Sequence, residues 1–325
     1  MVSQTNNPRV AGSAPRLDAA AAPAKPWCLA IPLVCLVGLA MDLSGGPQSG
    51  ERRLWDVELE AAKKAQQKKD AQNSASGGTN ETRPTYRGED AKVGPLRQSD
   101  AILGVTLWRL RPSLPADQVT LPVVDGGREE HWTPVRVSPH ETLGAESKVR
   151  LTVEVPRAGH LYVINREIYE DGSRGEPYLI FPTLRTLGGD NAVIPGRIVD
   201  IPDQHDTPPY FTLRRNSASH AGEVLTVILA NEAIPEVAIA RNYAKLPEEM
   251  VKGWESQWTR SVETFHWDDS EGKQWTVAEQ RAASGARLLV QDEPFPQTLY
   301  RIQARPGEPL LVSIPLKIGA TRQSP

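Results

Sequence analysis

KVRLTVEVPRAGHLYVINREIYEDGSRGEPYLIFPTLRTLGGDNAVIPGRIVDIPDQHDTPPYFTLRRNSASHAGEVLTVILA, residues 148–230, is the stretch that decides the fold of this chain. Short runs rich in Val, Ile, Leu and Tyr are cut by Gly, Pro, Asp and Asn, the pattern of β-strands joined by tight turns. In the first run Val149, Leu151, Val153 and Val155 share one face, and Arg150, Thr152 and Glu154 share the other. Period-two alternation of this kind marks a half-buried antiparallel strand. Further strands are expected at 159–168, 178–181, 197–201, 210–213 and 224–229.

The same reading extends outward in both directions. Upstream, 102–110 is a β-type run, and 119–124 and 132–137 flank the turn Asp125-Gly126-Gly127 as a hairpin. Downstream, residues 241–258 break the pattern. Leu246, Met250 and Trp254 recur every four residues around a Pro247-Glu248-Glu249 start, which predicts a helix. A second short helix is expected after Thr276, with Thr276 as N-cap and Glu279 completing a capping box. Strands at 288–291, 299–304 and 310–314 close the chain. The sum is a mainly β body over 101–317, an antiparallel sandwich or barrel-like domain of about ten strands with two short late helices, followed by a tail at 318–325. The 28 Pro and 25 Gly fit many short strands and argue against a helical bundle.

Outside the body the composition changes. Residues 1–26 are polar and Ala/Pro-rich, as disordered segments are. Trp27 to Met41 is an uncharged apolar run preceded by Arg9, Arg16 and Lys25 against Asp18 alone. As a helix it would rise about 22 Å, short of a hydrocarbon core of roughly 30 Å. That length suits a signal-peptide h-region, with Gly38-Leu39-Ala40 as a small-x-small cleavage site, and the long leading segment leaves an uncleaved N-terminal anchor open. Either way the body is expected outside the inner membrane, periplasmic, extracellular or membrane-anchored. Cys28 and Cys35, the only cysteines, fall inside this run, so the body has no disulfide or Cys-based zinc site. Residues 42–100 read as a flexible stalk, with a charged helix at 54–73.

Within 148–230 a set of short motifs occurs in a fixed order. Gly159-His160-Leu161-Tyr162-Val163 leads through Glu170-Asp171-Gly172 to Leu179-Ile180-Phe181-Pro182. Asn191 then precedes the Gly196-to-Pro202 strand, and Gly222-Glu223-Val224-Leu225 follows. This order resembles DUF4384, a bacterial domain of unknown function. His160, where that family usually has an aromatic, and the long insertion before 177–183 depart from its pattern. The resemblance implies a β-rich accessory module, often joined to kinase or caspase-like domains that this chain lacks, and it transfers no catalytic residue.

Net charge is −3, so no global basic field draws the chain to nucleic acid. Residues 100–325 contain no G-x-S-x-G elbow, no cysteine and no H-E-x-x-H. His131, His140, His160, His205, His220 and His266 would permit a catalytic group assembled by the fold, without indicating one. Asp200, Asp203 and Asp206 around His205 read as a polar loop, and Gly188-Gly189-Asp190-Asn191 as a tight turn. Arg109, Arg111 and Arg150 read as a solvated strand face. No metal or other cofactor is expected. The best candidate surface is aromatic: Trp254, Trp258, Phe265, Trp267 and Trp275 lie close in sequence and would serve as a platform for sugar rings or an anchor for a protein partner. The plainer reading packs these rings onto the sheet as core. The resulting expectation is a non-catalytic, envelope-associated binding or assembly module whose partner is an envelope protein or a glycan. One alternative is a glycan- or peptidoglycan-active enzyme with an acid pair assembled by the fold. Another is a scaffold working through 54–73.

Overall fold

The alternating strands build two sheets packed face to face. The structure, a computed structural model, describes residues 100–125, 128–267, 270–290 and 293–319. The runs at 1–26, 27–41 and 54–73, most of the 318–325 tail and the Gly126-Gly127 turn lie outside the described residues.

The first sheet contains β1 (Asp100–Pro112), β2 (Leu121–Asp125), β3 (Arg128–Arg136), β5 (Lys148–Glu154), β9 (Ile198–Ile201), β10 (Phe211–Thr212), β13 (Val262–His266) and β14 (Thr298–Gln303). The second contains β4 (Thr142–Leu143), β6 (Gly159–Tyr169), β7 (Tyr178–Phe181), β8 (Ala192–Val193), β11 (His220–Ala230), β12 (Ala244–Lys245) and β15 (Leu310–Ile318). Their orders are β10-β5-β1-β14-β13 and β12-β7-β6-β11-β15-β4, and neither closes into a barrel. Among the described residues, pairing between named strands is antiparallel except for the short contact of β15 with β4. The body is therefore mainly β and sandwich-like, as expected. Of the strands only two residues long, β10 falls within the expected 210–213, while β4, β8 and β12 are too short for any hydrophobic period to announce them.

Between the sheets Leu107, Leu151, Val163, Val227, Val312 and their neighbours form the main core. Both sheets are also covered on their outer faces. Helix α1 (Glu248–Trp258) lays Val251 and Trp254 against Tyr162, Ile164, Ile228 and Leu311 of the second sheet. Helix α2 (Val277–Ala283), with Trp275, covers Trp108, Leu121 and Ile198 on the first sheet. The expected capping box is present. The Thr276 hydroxyl accepts from the Glu279 N–H, and the Glu279 carboxylate accepts from the Thr276 N–H.

Outer covering corrects one expectation about charge. Arg109 stays partly exposed and pairs with Glu141 at 2.7 Å. Arg111 forms a fork with Asp117 at 2.7 and 2.8 Å. Arg150, however, is not solvated: it is 1% exposed, paired with Asp200 and stacked under the Trp275 ring. Thr152 and Glu154 on the same face are buried too. A period of two reports two different faces, but it cannot tell a watery outer face from one that a helix covers. A second difference is local. Residues 288–290 form no strand, because the Leu289 N–H donates to Gly196 O in a loop. An unexpected edge strand forms instead at β13.

Candidate functional site

The inward face of β6 changes character along its length. Leu161 and Val163 belong to the main core, and the same side of the strand continues as Asn165 and Glu167. On β11 the inward series Leu229, Val227, Leu225 ends at Glu223, which stands directly across from Glu167. Carboxylates thus replace aliphatic side chains at one end of an otherwise apolar sandwich. There the space between the sheets widens into a cavity of about 730 Å³, floored by Leu107, Leu151, Leu225 and Leu316.

Backbone geometry sets the position of Glu223. Pairing of β11 with β6 shifts register between His220 and Gly222, a bulge that re-aims the next side chain. Gly222 allows it: a Cβ there would lie 2.2 Å from Leu316 O. Gly159, at the other end of β6, has the same role, since its Cβ would meet Ala230 O at 2.4 Å. Both glycines belong to the short motifs of the central segment, and both are required by close strand approach.

Glu223 is 8% exposed. Burial pushes its carboxyl up to about 7, and the nearby Glu167 adds to the rise, while His220 and a 3.0 Å hydrogen bond from Asn165 Nδ2 oppose it. Glu167 behaves in the opposite way. Burial works against its charge, but the Tyr169 hydroxyl and the Asn216 amide donate to its two oxygens and hold it below the usual carboxylate range. One wall therefore carries two adjacent carboxyls with separated affinities for a proton.

Glu167, His220 and Glu223 place donor atoms within 4.8 Å of one another, the spacing of a metal-ligand group. His220 is nevertheless committed. Its Nδ1 accepts from the Asn216 N–H at 3.2 Å, which leaves the proton on Nε2 to donate to Gly222 O at 2.8 Å. Both nitrogens are used, and the ring is completely buried against Tyr169. The hydrogen bonding suits a positioning imidazole better than a ligand.

The opposite wall and the rim are mixed. Phe211 and Thr212 come from β10, and Tyr210, Pro202 and Pro208 from the loops beside it. Tyr178 and Tyr243 meet edge to face at 6.0 Å and are exposed. Arg185 and Arg214 add positive charge to the lining, and Glu176 is paired with Lys245.

None of the five aromatic candidates lines this cavity, and they do not share one surface. Trp254 and Trp258 stack at 5.7 Å on α1, with Trp254 buried against the second sheet. Trp275 is buried on the outer face of the first sheet. Phe265 packs near Ile102 and Leu299 beneath Arg301, while Trp267 leans on Phe295. The other sequence candidates are loops that satisfy themselves. Asp203 accepts from the His205 N–H and contacts its ring, and Asp206 accepts from Thr186. Asn191, after Gly188 and Gly189 at positive φ, donates to Leu161 O and bonds His160. Sequence reading missed the Glu167–Glu223 pair. Its signal was a change from apolar to polar along a single strand face.

The chain matches no known family model, no curated protein and no solved structure. Among the described residues, no helix is long and apolar enough to cross a membrane.

Proposed function

We propose that the protein is an exported, envelope-associated binding module whose ligand enters the cleft between the two sheets at the Glu167–Glu223 end. One observation carries this reading. A sandwich that fills its middle with aliphatic side chains keeps a cavity of about 730 Å³ at one end, floored by leucines and walled by hydrogen-bonding groups, and this is the composition of a small-ligand site. Export rests on the apolar run at 27–41 and its basic approach. The order of motifs from Gly159 to Leu225 supports a DUF4384-like accessory module. A glycan segment or a peptide of an envelope protein would fit such a cleft, with Tyr178 and Tyr243 offering ring faces at the rim.

A second reading has the acid pair act as an enzyme. The donor oxygens of Glu167 and Glu223 lie within 4.8 Å, close to the separation of about 5–5.5 Å between the carboxyls of retaining glycosidases. Against it stands their origin: both come from facing positions on neighbouring strands, hence from one wall. Glycoside cleavage needs the two groups on either side of the scissile bond. Binding without turnover is therefore the better fit. The scaffold alternative acts through 54–73, and deletion of those residues should then abolish partner capture while the cleft still binds.

The test is ligand retention. Full-length protein is incubated with the low-molecular-mass fraction of the cell envelope, and bound compounds are read by native mass spectrometry. Thr212→Trp, which fills the cleft from β10, should lose what the wild type retains. Equal retention by both proteins sinks the cleft reading. Hydrolysis of a glycan panel that disappears in Glu223→Gln moves the assignment to the enzyme.

A further inference from the structure

We propose that the Glu167–Glu223 wall is an organic-cation subsite, receiving a primary ammonium, amidinium or guanidinium group of the ligand while the leucine floor and the Tyr178–Tyr243 rim hold its apolar part. The inference rests on the cleft being the ligand site.

Its main support is a contrast within the molecule. Two of the most deeply buried carboxylates have an arginine: Glu279 pairs with Arg136 at 2.5 Å, and Asp200 pairs with Arg150, whereas Asp203 and Asp206 are met by His205 and Thr186. Glu223 is buried too, though less deeply at 8% exposed, and has Glu167 directly across from it, yet among the described residues no Lys or Arg pairs with either. His220 comes nearest, with Nε2 3.4 Å from Glu223 Oε1, but its two ring nitrogens are engaged by the Asn216 N–H and Gly222 O, so it cannot turn a donor to both carboxyls. Two adjacent carboxyls without a cation are unfavourable in a desolvated site. A cation entering from the cavity removes that cost. The amide oxygen of Asn165, also part of the lining, is buried without a hydrogen-bond partner and offers a further acceptor.

Size and donor placement favour an organic cation over a metal ion. The cavity far exceeds one ion, and its leucine floor and tyrosine rim suit a molecule with carbon attached to the charge. A metal would have to draw its ligands from one wall with His220 already engaged.

Proton affinity is consistent with this picture. The groups facing Glu223 are Glu167 and Tyr169 on β6 and His220 on its own strand; Glu176, Arg185, Arg214 and Arg150, the last paired with Asp200, are the remaining charged groups around the cavity. With Glu223 held near 7, a cation should expel its proton and bind more tightly at higher pH.

The experiment is calorimetric titration of the full chain with benzylamine and benzamidine, and with their uncharged counterparts benzyl alcohol and benzamide, at pH 6 and pH 8. Both cations stay charged across that range. The expected result is cation binding at least tenfold tighter than that of the neutral partner, tighter at pH 8 than at pH 6, with proton release seen as buffer-dependent heat. Glu167→Gln and Glu223→Gln should each remove the cation preference, with far-UV circular dichroism unchanged. Equal binding of charged and neutral probes, cation binding that survives both substitutions, or no cation binding at millimolar concentration would overturn the proposal. So would calcium or zinc binding that excludes the amines and is lost in both variants. Equal binding of charged and neutral probes that fails in Thr212→Trp would remove the cation subsite and leave the cleft as a ligand site.

Discussion

Arg150 and Asp200 face each other beneath Trp275 with almost no exposure to water. Burial raises the Asp200 carboxyl to about 6, and Arg150 offsets only part of that rise, with Asp203 and Asp206 adding to it. Removing one member of such a pair leaves the other charge stranded. Arg150→Met should therefore cost about 3–5 kcal/mol in urea denaturation, and Arg150→Met combined with Asp200→Leu should recover most of it. Glu223 makes the opposite prediction. Its folded value of about 7 lies above the ordinary 4.5, so the folded protein holds this proton more tightly than the unfolded chain. The resulting stabilisation is present at low pH and is lost as pH rises from the ordinary carboxylate range through about 7. Glu223→Gln needs no proton and should raise stability by about 2 kcal/mol at pH 8.5. Near pH 4 it should change little. A denaturation midpoint that falls in the variant at pH 8.5 would contradict this account.

Elements were legible where a local rule is strong. The capping box before α2 can be read from Thr276 and Glu279 alone, and the structure forms it. Glu279 has a second role that no local rule contains: it is the partner of the buried Arg136, whose guanidinium lies over the Trp108 ring. The two roles separate by mutation. Thr276→Ala should cost about 1 kcal/mol, the value of a lost cap. Glu279→Ala should cost about 3 kcal/mol or more, because Arg136 is then left unpaired in the interior. Equal losses in the two variants would show that the ion pair contributes nothing beyond the cap. The aromatic stretch shows the limit of reading by proximity. Trp254 and Trp258 share a helix face as their spacing of four requires, and the structure stacks them. Chain direction then carries Phe265, Trp267 and Trp275 to other packing sites, so nearness in sequence does not become a surface. β13 lay hidden in this stretch because its side chains, half-buried or exposed at a sheet edge, show no clean alternation.

For the whole molecule, the arrangement is four layers, α2, first sheet, second sheet and α1, with apolar clusters drawn from residues 102–318 among those described. If that body is self-sufficient, a chain starting at residue 98 should unfold in one transition at the midpoint of the full-length protein. A lower midpoint would mean that earlier residues contribute to the core. The mainly β class, most of the long strands and both helices were available from residues 100–325 alone, since turn residues and hydrophobic period act between near neighbours. The fate of the second face of each strand was not. Whether Arg150 meets water or Asp200 depends on what packs over it, and that cover, Trp275 with α2, lies far along the chain. The pairing of Glu167 with Glu223 likewise exists only once β6 and β11 settle in register. Local periodicity therefore reaches the identity of the elements. The buried ion pairs and the acidic cleft come from long-range packing, because each charge acquires its partner, or lacks one, only when distant strands are brought together.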